Sequence, residues 1–268
     1  MNKDWKKTHI IYWHDELHDD FDQILSKRPP LKPGYKFIRS NRVANFFGNI
    51  LYYGIALPIL GAFSYLTGMK VKGRKNLKAI KKTGAFIYSN HVSVPDVYKF
   101  ASPVCGGKRV NILGYTDSLS VPVLRSVVKQ LGFLPLPLGQ DPENKAALVD
   151  AMDYYVNKKH QIVLIYPEAH IWPYYTQIRN FKVQTMKYPA IINAPVVPAV
   201  TTWRKVWWSK RPKQTVKIGT VIMPRAELSQ EENIQYLYNE TISQMKELAE
   251  SEKQFEYIKY IYKPADQN

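Results

Sequence analysis

Residues 43–69, "VANFFGNILYYGIALPILGAFSYLTGM", run for 27 positions without a charged side chain. A stretch this long and apolar has to be covered by protein or by lipid, and it is long enough to cross a bilayer as a helix. Asn45, Gly48, Asn49, Gly54, Pro58 and Gly61 interrupt it and weaken a single continuous helix. Basic residues flank both ends, with Lys36, Arg39 and Arg42 before it and Lys70, Lys72, Arg74 and Lys75 after it. A single span predicts a bias of Lys and Arg to one side. Symmetric flanks instead predict two helices, bent near Pro58, that dip into one leaflet and return. A buried helix pair and a true span are the alternatives.

Charge narrows the choice of partner. The chain of 268 residues carries a formal charge of +16. No Asp or Glu lies between Asp22 and Asp96, whereas Lys27 to Lys82 holds thirteen Lys and Arg. Such a block attracts anionic lipid or nucleic acid. Nucleic-acid binding gives the uncharged stretch no role, so an anionic membrane surface is the expected partner and nucleic acid is not. "WRKVWWSKRPK", residues 203–213, interleaves tryptophan with Lys and Arg. It suits a headgroup layer, a single-stranded nucleic-acid platform, or a hairpin whose tryptophans cover the core. The single cysteine, Cys105, excludes an internal disulfide framework and a multi-cysteine zinc site. The first residues, "MNKDWKKTHIIYWHDE", lack an apolar signal core. The expected location is the cytoplasmic face of the cell membrane.

From residue 84 onward, strand-like and helix-like segments alternate. "AFIYSN", "RVNILGY", "GFLPLPL", "QIVLIYP", "APVVPAVTTW" and "QTVKIGTVIMP" read as strands. "PDVYKFAS", "PVLRSVVKQL" and "DPENKAALVDAMDYYVNKKH" read as helices, and Ser229 with Glu232 opens a fourth through a capping box. The pattern predicts an α/β fold: a central mixed, largely parallel sheet flanked by helices, preceded by the N-terminal membrane-associated helix pair. The expected divisions are an acidic-then-basic segment over 1–42, the apolar hairpin over 43–69, and an α/β domain over 70–268.

Two histidines are followed by an aspartate five residues later, His14 with Asp19 and His91 with Asp96. Context separates them. His91 follows a buried strand and Asp96 falls in the first turn of the next helix, at the kind of strand end where α/β sheets bind ligands. There the carboxylate can hold one imidazole nitrogen and leave the other as a base; a turn in which Asp96 simply complements a helix N-terminus is the alternative. His14 and His18, four apart, would share a helix face and could hold the metal of a hydrolase. However, Asp15 stands where a zinc protease needs glutamate, and a solvated or packed acidic segment is the plainer reading.

"NHVSVPD" resembles the Asn-His-x-Ser-x-x-Asp signature of the glycerolipid, or lysophosphatidic acid-type, acyltransferases, with Asn90, His91, Ser93 and Asp96 in the matching places. "LGFLPL", "YPEAHIW" and "APVVPAV" follow in the order of that family's later blocks, so the resemblance covers about residues 84–202. It implies O-acyl transfer from acyl-CoA or acyl carrier protein to a hydroxyl of a lysophospholipid-like acceptor. His91 is then the general base and Asp96 its orienting acid, with no metal or redox cofactor. It also implies substrate-binding roles for Asn90, Ser93 and Glu168. The third block departs from the family's Glu-Gly-Thr-Arg: Ala169, His170 and Ile171 follow Glu168, so its phosphate-binding arginine is missing. His170, Arg179 and Lys182 are the candidates to replace it, Arg179 first. A basic nucleic-acid-binding protein without catalysis, or a metallohydrolase using His14 and His18, are the alternative functions.

Overall fold

The computed structural model describes residues 5–21, 28–39, 41–93, 96, 100–119 and 128–264. Its strands are β1 (Ile10–Trp13), β2 (Lys70–Lys72), β3 (Ala85–Ser89), β4 (Val110–Gly114), β5 (Phe133–Pro135), β6 (Ile162–Ile165), β7 (Val196–Val206), β8 (Ser209–Ile218) and β9 (Lys259–Tyr262). Seven of them form one sheet in the order β2-β8-β7-β3-β6-β4-β5. Every pairing in it is parallel except β7 with β8. This is the mixed, largely parallel α/β sheet that the alternating pattern predicts.

The two central strands, β3 and β6, are buried at every position. That follows from helices on both faces, which remove the polar side of the usual alternation. Side chains still alternate. Phe86, Tyr88, Val163 and Ile165 point into one cluster, beneath the helices Pro142–Asp153 and Gln230–Glu250. Ala85, Ile87, Ile162 and Leu164 point into the other, with Tyr52 and Phe100. The capping box is formed as expected: the Glu232 N–H donates to Ser229 Oγ at 3.2 Å, and the Ser229 N–H to Glu232 Oε2 at 2.8 Å.

The apolar stretch departs from the expected pair of helices. It is one continuous helix, Arg42–Leu66, whose length and composition suffice to cross a membrane. Pro58 does not turn the chain back. The segment Ile50–Ala56 is wound as a π-helix, and the Leu57 N–H already donates to Tyr52 O, five residues back. The ladder has therefore shifted before the proline ring, which would strain a regular α-helix, is reached.

The small residues that weaken the helix in isolation are its packing sites. A Cβ on Gly48 would lie 2.3 Å from Gln130 Oε1, and one on Gly61 would lie 2.7 Å from Ser102 Oγ. Tyr52 OH, on the same side, accepts from the Val110 N–H at 2.9 Å. Phe46, Phe47, Ile50, Tyr53, Ile59 and Phe63 remain exposed.

The "WRKVWWSKRPK" stretch is the β7–β8 hairpin, with Val206 paired to Ser209 across its tip. Trp203 is core, whereas Trp207 at the tip is 92% exposed. The expected helices over 95–102 and 122–131 fall largely outside the described residues. Their described ends are the π turn Phe100–Val104 and the helical residues 128–130. A second, two-stranded sheet was not foreseen: β1 pairs parallel with β9, joining the two ends of the chain.

Candidate active site

The carboxyl end of β3 is locked before the site begins. Asn90, the next residue, is buried, and its amide makes two bonds to one residue of β7. Its Nδ2 donates to Thr201 O at 3.0 Å and its Oδ1 accepts from the Thr201 N–H at 2.8 Å. Both ends of the amide are thus occupied by backbone. Asn90 anchors the turn to the sheet and is not placed to bind substrate, as the resemblance had implied.

The following turn is organised around Asp96. Its Oδ2 accepts from the N–H of Val92 at 3.1 Å and of Ser93 at 2.7 Å. Its Oδ1 accepts from Ser93 Oγ at 2.5 Å and from Gln214 Nε2 at 2.8 Å. Charge-assisted bonds to a buried carboxylate are the strong kind. Ser93 therefore completes the Asp96 cradle. Gln214, on β8, gave no sequence signal, because a polar residue in a strand acquires a partner only when the sheet closes.

His91 projects from this turn, half-buried, with its ring stacked on Tyr166 at 4.3 Å. Its backbone is held from the third block. The His91 N–H donates to Glu168 Oε2 at 3.3 Å, and its carbonyl accepts from the Trp172 N–H at 3.1 Å. The Nδ1 atom is buried and has no hydrogen-bond partner among the described residues. The direct bond expected from Asp96 to an imidazole nitrogen is therefore not formed; Asp96 instead holds the backbone N–H groups of the two residues that follow His91, because its oxygens are taken up by that turn, Ser93 and Gln214. Burial, reinforced by the Arg179 guanidinium, lowers the His91 pKa to about 3. The ring is neutral at physiological pH.

Glu168 and Arg179 form a sealed pair. Arg179 is 0% exposed, and its Nη2 donates to Glu168 Oε2 at 2.9 Å. Its backbone N–H donates to Glu168 Oε1 at 3.1 Å, and its side chain also donates to the carbonyls of His170 and, at 3.2 Å, Glu16. The guanidinium further lies over the Trp172 ring at 4.7 Å. Burial pushes the Glu168 carboxyl up, and Arg179 draws it back down. With its donors turned inward, Arg179 does not present a fork to a phosphate, contrary to the sequence expectation. Lys182 is exposed and makes no ion pair among the described residues.

His170 does reach the site, but through the N-terminal segment. Its Nδ1 lies 3.3 Å from Asp20 Oδ2. The same segment is tied to the third block by Trp172 Nε1, which donates to Asp19 O at 2.8 Å, and by the Phe21 N–H, which donates to Ile171 O at 3.2 Å. Asp20 and His170 both act electrostatically on the His91 ring. His14 and His18 are elsewhere engaged and do not share a helix face. His14 Nδ1 contacts Lys263 O at 2.5 Å, and His18 Nδ1 lies 2.8 Å from Asp15 Oδ2.

Ala169 shapes this block. It sits at φ 64°, in the left-handed region, where a Cβ is strained. The turn brings the His170 N–H within 2.7 Å of Glu168 O. Replacing Ala169 by glycine is expected to stabilise the fold by about 1 kcal/mol, read as a raised denaturation midpoint at unchanged slope. A lower midpoint would mean that the Cβ contributes more in packing than it costs in strain.

No curated protein matches the chain. Among solved structures, the fold is similar to the crystal structure of the 1-acyl-sn-glycerophosphate (LPA) acyltransferase PlsC from Thermotoga maritima. The TM-score is 0.53 at 14% sequence identity, covering 79% of this chain and 96% of that one. A family model described as Acyltransferase matches residues 68–202, half of the sequence and the part that carries His91, Asp96 and Glu168. The chain belongs to the acyltransferase family.

Proposed function

We propose that the protein transfers a fatty acyl group from an acyl thioester, carried by coenzyme A or acyl carrier protein, to a hydroxyl of a lysophospholipid-like acceptor at the cytoplasmic face of a membrane. The observation that carries this reading is His91, neutral and half-buried at the end of β3, on a turn held by Asn90, Asp96 and Glu168. His91 takes the acceptor's hydroxyl proton as the oxygen attacks the thioester carbonyl. The tetrahedral intermediate then collapses, the C–S bond breaks, and the departing thiolate receives that proton. Asp96 is a positioning residue: by satisfying the N–H groups of Val92 and Ser93 it fixes where the imidazole points.

The membrane part of the reading rests on the exposed apolar side of the Arg42–Leu66 helix and on the basic residues at its ends. Without charges of its own to keep it in water, that side finds its natural cover in the acyl layer, next to a lipid acceptor.

The test is product analysis by mass spectrometry, with a panel of lysolipids and acyl thioesters presented on vesicles. An acylated lysolipid is the expected product; thioester hydrolysis with no acylated lysolipid would overturn the reading. The pH profile is a second check. A base whose pKa is lowered to about 3 keeps its active, neutral form as pH falls. Accordingly kcat/KM should stay level from about pH 8 to pH 5, without the inflection near 6.5 that an ordinary histidine gives. An inflection there would show that the imidazole titrates freely in solvent.

A further inference from the structure

The end of the sheet away from His91 holds a groove that the reaction does not use. Its volume is about 520 Å³, and its apolar floor is made by Leu77, Ile80, Val104 and Ile162. Ile162 is the first residue of β6 and is in register with Ala85, the first of β3. His91 lies six positions further along, so about 20 Å separates the groove from the imidazole at the rise of a strand.

The rim is cationic. Arg74, Lys75, Lys78, Lys81 and Lys108 line it, and among the described residues no Asp or Glu does. Arg74, Lys75, Lys78 and Lys81 make no ion pair among the described residues. Lys108 is fixed by donating to the carbonyls of Thr83 at 2.6 Å and His160 at 2.9 Å. Cations gathered without counter-charge around an apolar floor repel one another unless an anion joins them, and the occupant that satisfies both features is an anionic amphiphile.

Position decides which amphiphile. Val104, Cys105 and Ile80 belong to the same buried cluster as Tyr52 of the long helix, and Gly61 of that helix abuts Ser102 beside them. The groove therefore adjoins the helix with the exposed apolar side. We propose that it binds an anionic phospholipid of the membrane on which that helix lies. The phosphate sits among Arg74, Lys75, Lys78 and Lys81, and one acyl chain lies on the floor. The proposal rests on the membrane part of the proposed function, and it adds a lipid site separate from the acceptor site.

Vesicle co-sedimentation of the full chain tests it, with phosphatidylcholine alone and with added phosphatidylglycerol. Replacing Lys75, Lys78 and Lys81 together by glutamine should weaken binding to phosphatidylglycerol vesicles by roughly 100-fold, since each surface cation contributes about fivefold. Binding to phosphatidylcholine vesicles should not change. Lys158, Lys187 and Lys246, which do not line the groove, replaced in the same way, should cost far less. Equal losses from the two triple variants, or no loss from the first, would overturn the proposal.

Lysine labelling separates the site from the membrane itself. Short-chain phosphatidylglycerol in solution should slow acetylation of Lys75, Lys78 and Lys81, whereas short-chain phosphatidylcholine should not. Equal labelling rates with the two lipids would refute the groove even in a protein that binds vesicles. Protection by phosphatidylglycerol in a protein that binds no vesicles would keep the site and remove the membrane reading. Protection by inorganic phosphate at the same concentration would show an anion site with no use for the acyl chain, which also refutes it.

Discussion

His91→Ala should lower kcat/KM for acyl transfer by about 10²–10⁴, the range for loss of a positioned acid–base group. That corresponds to roughly 3–5 kcal/mol of transition-state stabilisation. Stability should change little, because the ring is half-buried and its Nδ1 leaves no partner behind. Asp96→Asn should behave differently. Its carboxylate satisfies the N–H groups of Val92 and Ser93, the Ser93 hydroxyl and the Gln214 amide. An amide can replace only part of that acceptance, so the variant should lose both rate and thermal stability. Steady-state kinetics and a thermal melt on both variants separate the base from the residue that positions it. His91→Ala retaining activity within threefold of the parent would remove the imidazole from the chemistry.

The largest effect on stability is expected at Arg179. Arg179→Met should destabilise the fold by about 3–5 kcal/mol, the cost of leaving a buried partner charge uncompensated. The partner is Glu168, already pushed toward protonation by burial, and without the guanidinium its carboxyl should rise further. The loss should therefore be greatest at neutral pH and shrink as pH falls and the orphaned carboxyl takes up a proton. Adding Glu168→Gln should restore part of the stability, because the buried charge is then gone. Denaturant unfolding of the single and double variants at two pH values checks this. If Arg179→Met instead left stability intact and raised only the KM for phosphate-bearing acceptors, the guanidinium would be a substrate clamp, with its bond to Glu168 incidental.

Much of the sheet was legible because its signals are local. The apolar runs of β3 and β6 mark strands covered on both faces, and Ser229 with Glu232 marks a helix start, each within a few residues of chain. The placing of His91 and Asp96 at one strand end was legible in the same way, since five residues and one turn separate them, but the bond expected between the two side chains was not formed. The long helix was misread because Gly48, Pro58 and Gly61 were weighed as breakers of an isolated helix. In the fold, the two glycines admit Gln130 and Ser102, and the π winding ahead of Pro58 accommodates the proline.

Closure between distant segments decided the rest. Asn90 meets Thr201 across 111 residues, Asp96 meets Gln214 across 118, and His170 meets Asp20 across 150. Arg179 was expected to face a phosphate, but it turned inward, because the N-terminal segment and Trp172 cover it and Glu168 supplies its counter-charge. The amino-acid sequence by itself determined β3 to β8, the helix starts at Asp141 and Ser229 and the turn that carries His91, since propensity and periodicity act between near neighbours. Only the tertiary structure decided which charges are spent on one another and which remain free for a ligand. That outcome depends on burial, and burial exists only once remote parts of the chain have packed together.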